Sequence, residues 1–104
     1  MYEIKVRTGS YLYPLVINKE RKTLSLSFRY NAVSGRWLMD IGDGNGKKLL
    51  SSIPLIPSQN ILEQYSYMKI GQAWVVPNNP DESLKVPSEN SFEESWKLLW
   101  GDTV

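Results

Sequence analysis

The chain has 104 residues, of which 41% are hydrophobic and 22% charged, and this is the size and composition of one globular domain. It contains no cysteine, which excludes disulfides, thiolate nucleophiles and thiolate zinc sites, and no histidine, the side chain that titrates closest to neutral pH. With these groups missing and a net charge of only +1, we expect neither an enzyme nor a protein drawn to nucleic acid or membranes by its overall charge.

Two strands are predicted in the first third of the chain. Residues 12–17 form an apolar run that Pro14 interrupts. Since proline cannot donate to a strand ladder, we expect this strand to lie at a sheet edge or to begin after Pro14. Residues 23–30 alternate strictly between polar and apolar side chains, which is the period of a half-buried strand. The core-facing set is Leu24, Leu26, Phe28 and Tyr30.

A hairpin is predicted next. Residues 36–41 and 47–53 read as strands, and the glycine-rich segment 42–46 between them can adopt the positive φ angles that tight turns require. Residues 60–66 carry apolar side chains at helical spacing, which predicts a short helical turn that could not stand alone. Residues 73–76 predict a fifth strand.

The end of the chain gives conflicting signals. Residues 78–94 are rich in Pro, Asn, Asp, Glu and Ser and predict a long exposed acidic loop. Residues 92–100 have apolar side chains at helical spacing, but Trp96 and Trp100 also lie on one face of an alternating strand. We expect a closing strand here, because a small sheet needs its edge covered. The sequence therefore predicts an all-β fold, a small antiparallel sandwich or partly open barrel of about five to seven strands in a single domain of residues 1–104.

Charge is distributed unevenly along the chain. Residues 1–52 carry nine Lys or Arg and four Asp or Glu, whereas residues 53–104 carry three and seven. Two interpretations stay open. The two halves attract each other within one folded domain, or the surface is polar and suited to stacking copies head to tail.

Two ligand-binding interpretations of the glycine-rich turn fail on residue type. A phosphate-binding loop would need glycine in place of Ile41 and a hydroxyl residue in place of Lys48. Asp40, Asp43 and Asn45 could contribute to a calcium loop, but residues 47–54 contain no acidic residue to complete it. Solvated turn carboxylates are the better interpretation, and no metal, cofactor or catalytic residue is predicted.

A second function class is a β-barrel module that binds an oligonucleotide or an oligosaccharide. Phe28, Arg29 and Tyr30, with basic turns nearby, could form a stacking platform for single-stranded nucleic acid. The strand period weakens this interpretation, because Phe28 and Tyr30 share the core-facing side and Arg29 points away from them. A carboxylate-based hydrolase would need two acidic residues in one cleft, whereas the acidic residues here fall mainly in turns and the loop.

Aromatic residues are abundant, with four Trp and six Tyr, and most of them are needed to fill a small core. Trp96 and Trp100 lie beside the acidic loop and near the end of the chain, and Tyr65 and Tyr67 lie in a bend. Exposed aromatic side chains of this kind are good interface anchors, so these four are the candidate interface residues. Simple packing is the alternative for each of them.

Several short segments of the chain, taken together in their order and spacing, form a recognisable pattern. They are residues 1–4, 28–31, 35–41, 53–55, 62–67, 70–71 and 74–76. The most specific are Ile-Pro-Leu at 53–55 and Leu-Glu-Gln-Tyr-Ser-Tyr at 62–67. In this order and spacing the chain resembles the baseplate plug proteins of contractile-tailed bacteriophages of the cyanophage type, with residues 78–94 matching poorly.

The resemblance implies a structural component of the virion rather than an enzyme. Proteins of this kind are small plug or adaptor subunits of the tail baseplate, near the hub and the end of the tail tube. The expected partners are therefore other tail and baseplate proteins in a ring-symmetric assembly, with neither a membrane nor a specific nucleic acid among them. The chain would occupy the host cytoplasm during assembly and the virion afterwards, and no cofactor is implied.

Overall fold

The computed structural model describes residues 2–78, 87, 92 and 95–103. These residues contain seven strands in two antiparallel sheets, which confirms the predicted all-β class. In chain order the strands are β1 (Tyr2–Ile4), β2 (Gly9–Ile17), β3 (Glu20–Asn31), β4 (Arg36–Asp43), β5 (Lys48–Pro54), β6 (Gln72–Pro77) and β7 (Trp96–Gly101). One sheet has the order β2-β3-β4-β5 and the other has the order β1-β7-β6.

The two sheets share one hydrophobic core and do not close into a barrel. Strand β3 shows why the sequence folds this way, because its alternating side chains Leu24, Leu26 and Phe28 are buried on one face. Across the neighbouring strand, Leu26 pairs with Ile41 and Phe28 pairs with Met39, and both partners are fully buried. The alternation predicted for residues 23–30 is therefore confirmed.

Strand β2 lies at the edge of the four-stranded sheet, as Pro14 predicted. Two residues later, Val16 donates its backbone N–H to the Tyr2 hydroxyl at 3.1 Å. Alternate residues of a strand direct their N–H groups to the same side, so Pro14 occupies a position where an outward N–H would otherwise stand. This edge therefore offers few free donors to another strand.

A two-residue turn joins β2 to β3 and also links the two sheets. Asn18 and Lys19 have φ angles of 54° and 67°, as a type I′ hairpin turn requires. The Asn18 side chain donates to the Thr103 carbonyl at 3.2 Å and accepts from the Thr103 backbone N–H at 2.8 Å. Asp102 adds a third bond by accepting the Asn18 backbone N–H at 2.9 Å. The residues after β7 are thus fixed to the opposite sheet.

The predicted hairpin between β4 and β5 is confirmed. One carboxylate oxygen of Asp43 accepts the backbone N–H groups of Asn45 and Lys47, each at 2.9 Å. Asp43 therefore acts as a turn-stabilising side chain of the kind that short polar residues supply in tight turns.

Strand β7 resolves the conflicting signals at residues 92–100, since Trp96–Gly101 is a strand between β1 and β6. Its alternating side chains reach the core, and two flanking strands supply backbone partners on both sides. Strand β1 is missing from the sequence-based prediction because three residues are too few to show a period.

The predicted acidic loop at residues 78–94 lies outside the described residues except at Asn78, Pro87 and Phe92. Asn78 donates its backbone N–H to the Ser95 carbonyl at 2.8 Å. Pro87 is buried and Phe92 is half-buried, so at these two positions the prediction of an exposed segment is wrong. Packing is the reason for Phe92, whose ring meets Trp37 edge-on with centroids 6.0 Å apart.

Candidate interaction surface

A short 3₁₀ helix, Glu63–Met68, crosses the surface with none of its own residues buried. It confirms the helical turn predicted near residues 60–66, although it begins and ends slightly later in the chain. The residues that flank it are buried, namely Ile61, Leu62 and Ile70. The segment is therefore anchored by its flanks and presents its middle to solvent.

Polar side chains fasten both ends of this segment to the three-stranded sheet. At the start, the Asn60 side-chain oxygen accepts the backbone N–H groups of Leu62 and Ala73, each at 3.0 Å. At the end, the Trp100 indole N–H donates to the Ile70 carbonyl at 2.9 Å. These bonds satisfy backbone groups at the two ends of the segment, on the helix cap residue Leu62 and on the residues that follow the helix.

Gly71 makes this second attachment possible. Its φ is +105°, and a Cβ at this position would lie 2.5 Å from Nε1 of Trp100 and 2.6 Å from the Gly101 carbonyl oxygen. Only glycine combines that backbone angle with so close an approach. The Gly71 N–H donates to the Thr103 hydroxyl at 2.9 Å, which completes the attachment.

The structure places the candidate residues Trp96 and Trp100 in the core. Their exposed fractions are 2% and 0%, so the expectation that they are exposed anchors is wrong. Both indoles project from the inner face of β7, where a sandwich of two small sheets needs bulky side chains. Trp100 contributes to the surface indirectly, because it holds the segment that carries the two candidate tyrosines.

Tyr65 and Tyr67 lie on the 3₁₀ helix but face different depressions. Tyr65 is half-buried and lines a small cavity of about 150 Å³ beside β5, together with Ile53 and Ile56. Tyr67 is 75% exposed and lines a larger depression of about 510 Å³. We call this larger site the Tyr67 depression. Its lining residues are Lys22, Thr23, Leu24, Asp43, Leu49, Tyr67, Met68 and Ile70.

The charges next to the Tyr67 depression are mostly positive. Lys22 lines it and donates from Nζ to the Lys69 carbonyl at 2.9 Å, which holds the lysine against the end of the helix. Lys69 follows the helix in the left-handed conformation, with φ of 57°. Asp43 is the acidic residue of the lining, and it is already engaged by two backbone N–H groups of its turn.

The outer face of the four-stranded sheet carries a different arrangement. The Arg29 guanidinium donates to the Asp40 carboxylate at 2.9 Å and to the Ser52 hydroxyl at 2.7 Å. Burial alone would raise the pKa of Asp40, but a hydrogen bond from the Ser52 backbone N–H and the charge of Arg29 outweigh it, so this pKa lies below its usual value. Arg29 is thus part of a structural pair, and Phe28, on the opposite face, is buried.

Two further findings concern ligands and membranes. Within residues 2–78, 87, 92 and 95–103, no three acidic, cysteine or histidine residues come together in a way that could hold a metal ion. No helix in that part of the chain is long and apolar enough to cross a membrane.

The residues that sequence reasoning missed are Leu49 and Met68, which form part of the apolar lining of the Tyr67 depression. Leu49 lies in β5 and Met68 ends the 3₁₀ helix. No local pattern could have paired them, because their proximity depends on how the helical segment lies across the strands.

A family model described as "Cyanophage baseplate Pam3 plug gp18" matches residues 1–103 of the chain. The match therefore spans both sheets and the 3₁₀ helix that carries Tyr67. No curated protein matches the chain.

Proposed function

Because this chain belongs to the cyanophage baseplate plug family, we propose that it is a small structural subunit that packs near the hub of a contractile tail, at the end of the tail tube. Family membership makes it a phage tail component that associates with other baseplate proteins. The finer position, next to the hub and the tube, is our proposal.

The observation that carries this proposal is the family match over residues 1–103, which covers nearly the whole chain. The architecture supports it, because the two sheets pack around one core. Side-chain bonds from Asn18 to Thr103 also tie the residues after β7 to the opposite sheet. A subunit of this kind transmits force through its contacts and needs no reactive group. We accordingly propose no catalytic role.

In this mechanism, polar contacts and a few aromatic anchors hold the subunit among its neighbours in a ring-symmetric assembly. Tyr65 and Tyr67 remain our candidates for the anchors. Contraction of the tail or passage of the genome would then require those contacts to break or slide. The subunit would assemble in the host cytoplasm and remain in the virion.

The alternative, a module that binds an oligonucleotide or an oligosaccharide, has weaker support. Its proposed platform needs an exposed aromatic beside a free cation, whereas Phe28 is buried and Arg29 is bonded to Asp40. A fold with two small sheets is also compatible with many functions, so it does not favour this alternative.

Removal of the gene from the genome that encodes the chain tests the proposal. We expect electron micrographs to show particles with missing or defective baseplates, and expression of the chain in trans to restore them. Complete and infective particles without the chain would overturn the structural role.

A further inference from the structure

The Tyr67 depression is a surface site in which apolar and charged side chains meet. Its floor contains the buried side chains of Leu24 and Ile70, and Leu49 and Met68 are half-buried beside them. A volume of about 510 Å³ is within the range of sites that accept a ligand or a few inserted side chains.

Tyr67 stands at the rim of this depression with 75% of its surface exposed. Within the part of the chain that the structure describes, the Tyr67 hydroxyl makes no hydrogen bond that stabilises the fold. The side chain is therefore held mainly by its position on the helix. The helix itself is held firmly by Asn60 and Trp100. A large amphipathic ring is therefore presented to solvent on a rigid support, which is the usual character of an interface anchor.

The charged residues at the Tyr67 depression indicate what kind of partner would bind there. Lys22 is held at the site by its bond to the Lys69 carbonyl, and that bond uses only one of its three protons. Lys69 is exposed directly beside it. The two lysines outnumber Asp43 at this site, which favours a partner that brings carboxylates.

Other occupants fit less well. A two-fold contact between two copies through this site would place Lys22 and Lys69 of each copy near those of the other, which like-charge repulsion opposes. Single-stranded nucleic acid could stack a base on Tyr67 and place phosphates at the lysines, but the net charge of +1 gives the chain no strong overall attraction for it.

We propose that the Tyr67 depression receives an acidic segment of a neighbouring baseplate protein. An apolar side chain of that segment packs over Leu49 and Met68, and its carboxylates face Lys22 and Lys69. This inference rests on the proposed function and adds to it the surface of contact and the chemistry of the partner.

Competitive incorporation into particles tests the inference. Wild-type chain and a Tyr67→Glu variant are expressed together while particles assemble, and the peptides that contain residue 67 are distinguished by mass. We expect the ratio of variant to wild type in purified particles to be at least tenfold below the ratio in the lysate. Lys22→Glu should be depleted in the same direction, and Tyr67→Phe should be incorporated like wild type.

Val33→Glu is the matched control, because Val33 is fully exposed in the turn between β3 and β4. It adds the same charge at another site and should be incorporated at the lysate ratio. Thermal unfolding of each purified variant checks that the fold is intact. Equal incorporation of folded Tyr67→Glu and wild type would overturn the inference while leaving the proposed function in place. Absence of the wild-type chain from particles would overturn the proposed function itself.

A photo-crosslinking residue, p-benzoylphenylalanine, in place of Tyr67 identifies the occupant. We expect irradiation of particles to link the chain to a different baseplate protein, at a peptide rich in Asp and Glu. Crosslinks only to DNA or only to a second copy of the chain would contradict the inference, and so would a yield no higher than that from the same residue placed at Val33.

Discussion

The Trp100 indole N–H donates to the Ile70 carbonyl oxygen at 2.9 Å, and this bond joins the buried strand β7 to the exposed segment that carries Tyr67. A core residue thereby determines the position of a surface residue. Asn60 does the same at the other end of the segment. The candidate surface should therefore be rigid even though its helix contains no buried residue.

Gly71→Ala should destabilise the protein by about 3 kcal/mol or more, because it combines an unfavourable positive φ with a clash against Trp100. Gly46→Ala is the matched control, since Gly46 also has a positive φ but a Cβ added there would have no neighbouring atom within 4 Å. It should cost about 1 kcal/mol. Urea denaturation measures both, and equal losses would contradict the close packing of Gly71 on the indole.

Trp100→Phe should lower the free energy of unfolding by about 2–4 kcal/mol, because it removes a buried bond and leaves a cavity. Tyr67→Ala should change it by no more than about 0.5 kcal/mol, since that side chain is largely in water. Chemical denaturation of the two variants would separate the structural aromatic from the surface aromatic. A large loss for Tyr67→Ala would show that Tyr67 belongs to the core.

Asn18→Gly should cost about 1–2 kcal/mol, because it keeps the positive φ of the turn but removes both side-chain bonds to Thr103. Lys19→Gly has the same effect on the unfolded chain and leaves these bonds intact, so it should be close to neutral. Thermal unfolding of the pair measures the value of the link between the sheets. If both variants lose the same stability, the link contributes nothing.

The pKa of Asp40 is lowered in the folded state, so its contribution to stability is present above the ordinary carboxyl pKa and is lost as the pH falls through the folded value. Asp40→Asn should therefore cost about 1 kcal/mol at pH 7, where the wild-type carboxylate is paired with Arg29. The difference should shrink between pH 7 and a pH well below the ordinary carboxyl value, as the wild-type carboxylate becomes protonated. Urea midpoints at the two pH values test this, and a constant difference would contradict it.

Local patterns predicted much of the fold because they act over few residues. The alternation of β3, the glycine-rich hairpin and the edge position of Pro14 all follow from the chemistry of adjacent residues. The short helical turn was also visible, since its buried flanks Ile61 and Leu62 precede it directly.

The surface could be predicted only in part. Position near the chain end suggested exposure for Trp96 and Trp100, but two flanking strands place both indoles inside. Tyr67 is exposed, as its position in a bend suggested. The lining by Leu49 and Met68 could not be predicted, because it depends on contacts between distant segments. Such contacts have no signature in a single sequence.

Quantitative mass spectrometry of purified tail particles tests the central claim most directly. Particles are produced from the genome that encodes the chain, and its copies are counted against those of the other tail proteins. The structural role predicts a fixed small number of copies per particle, and a ring position predicts a multiple of three. Absence of the chain from well-formed particles would contradict the account.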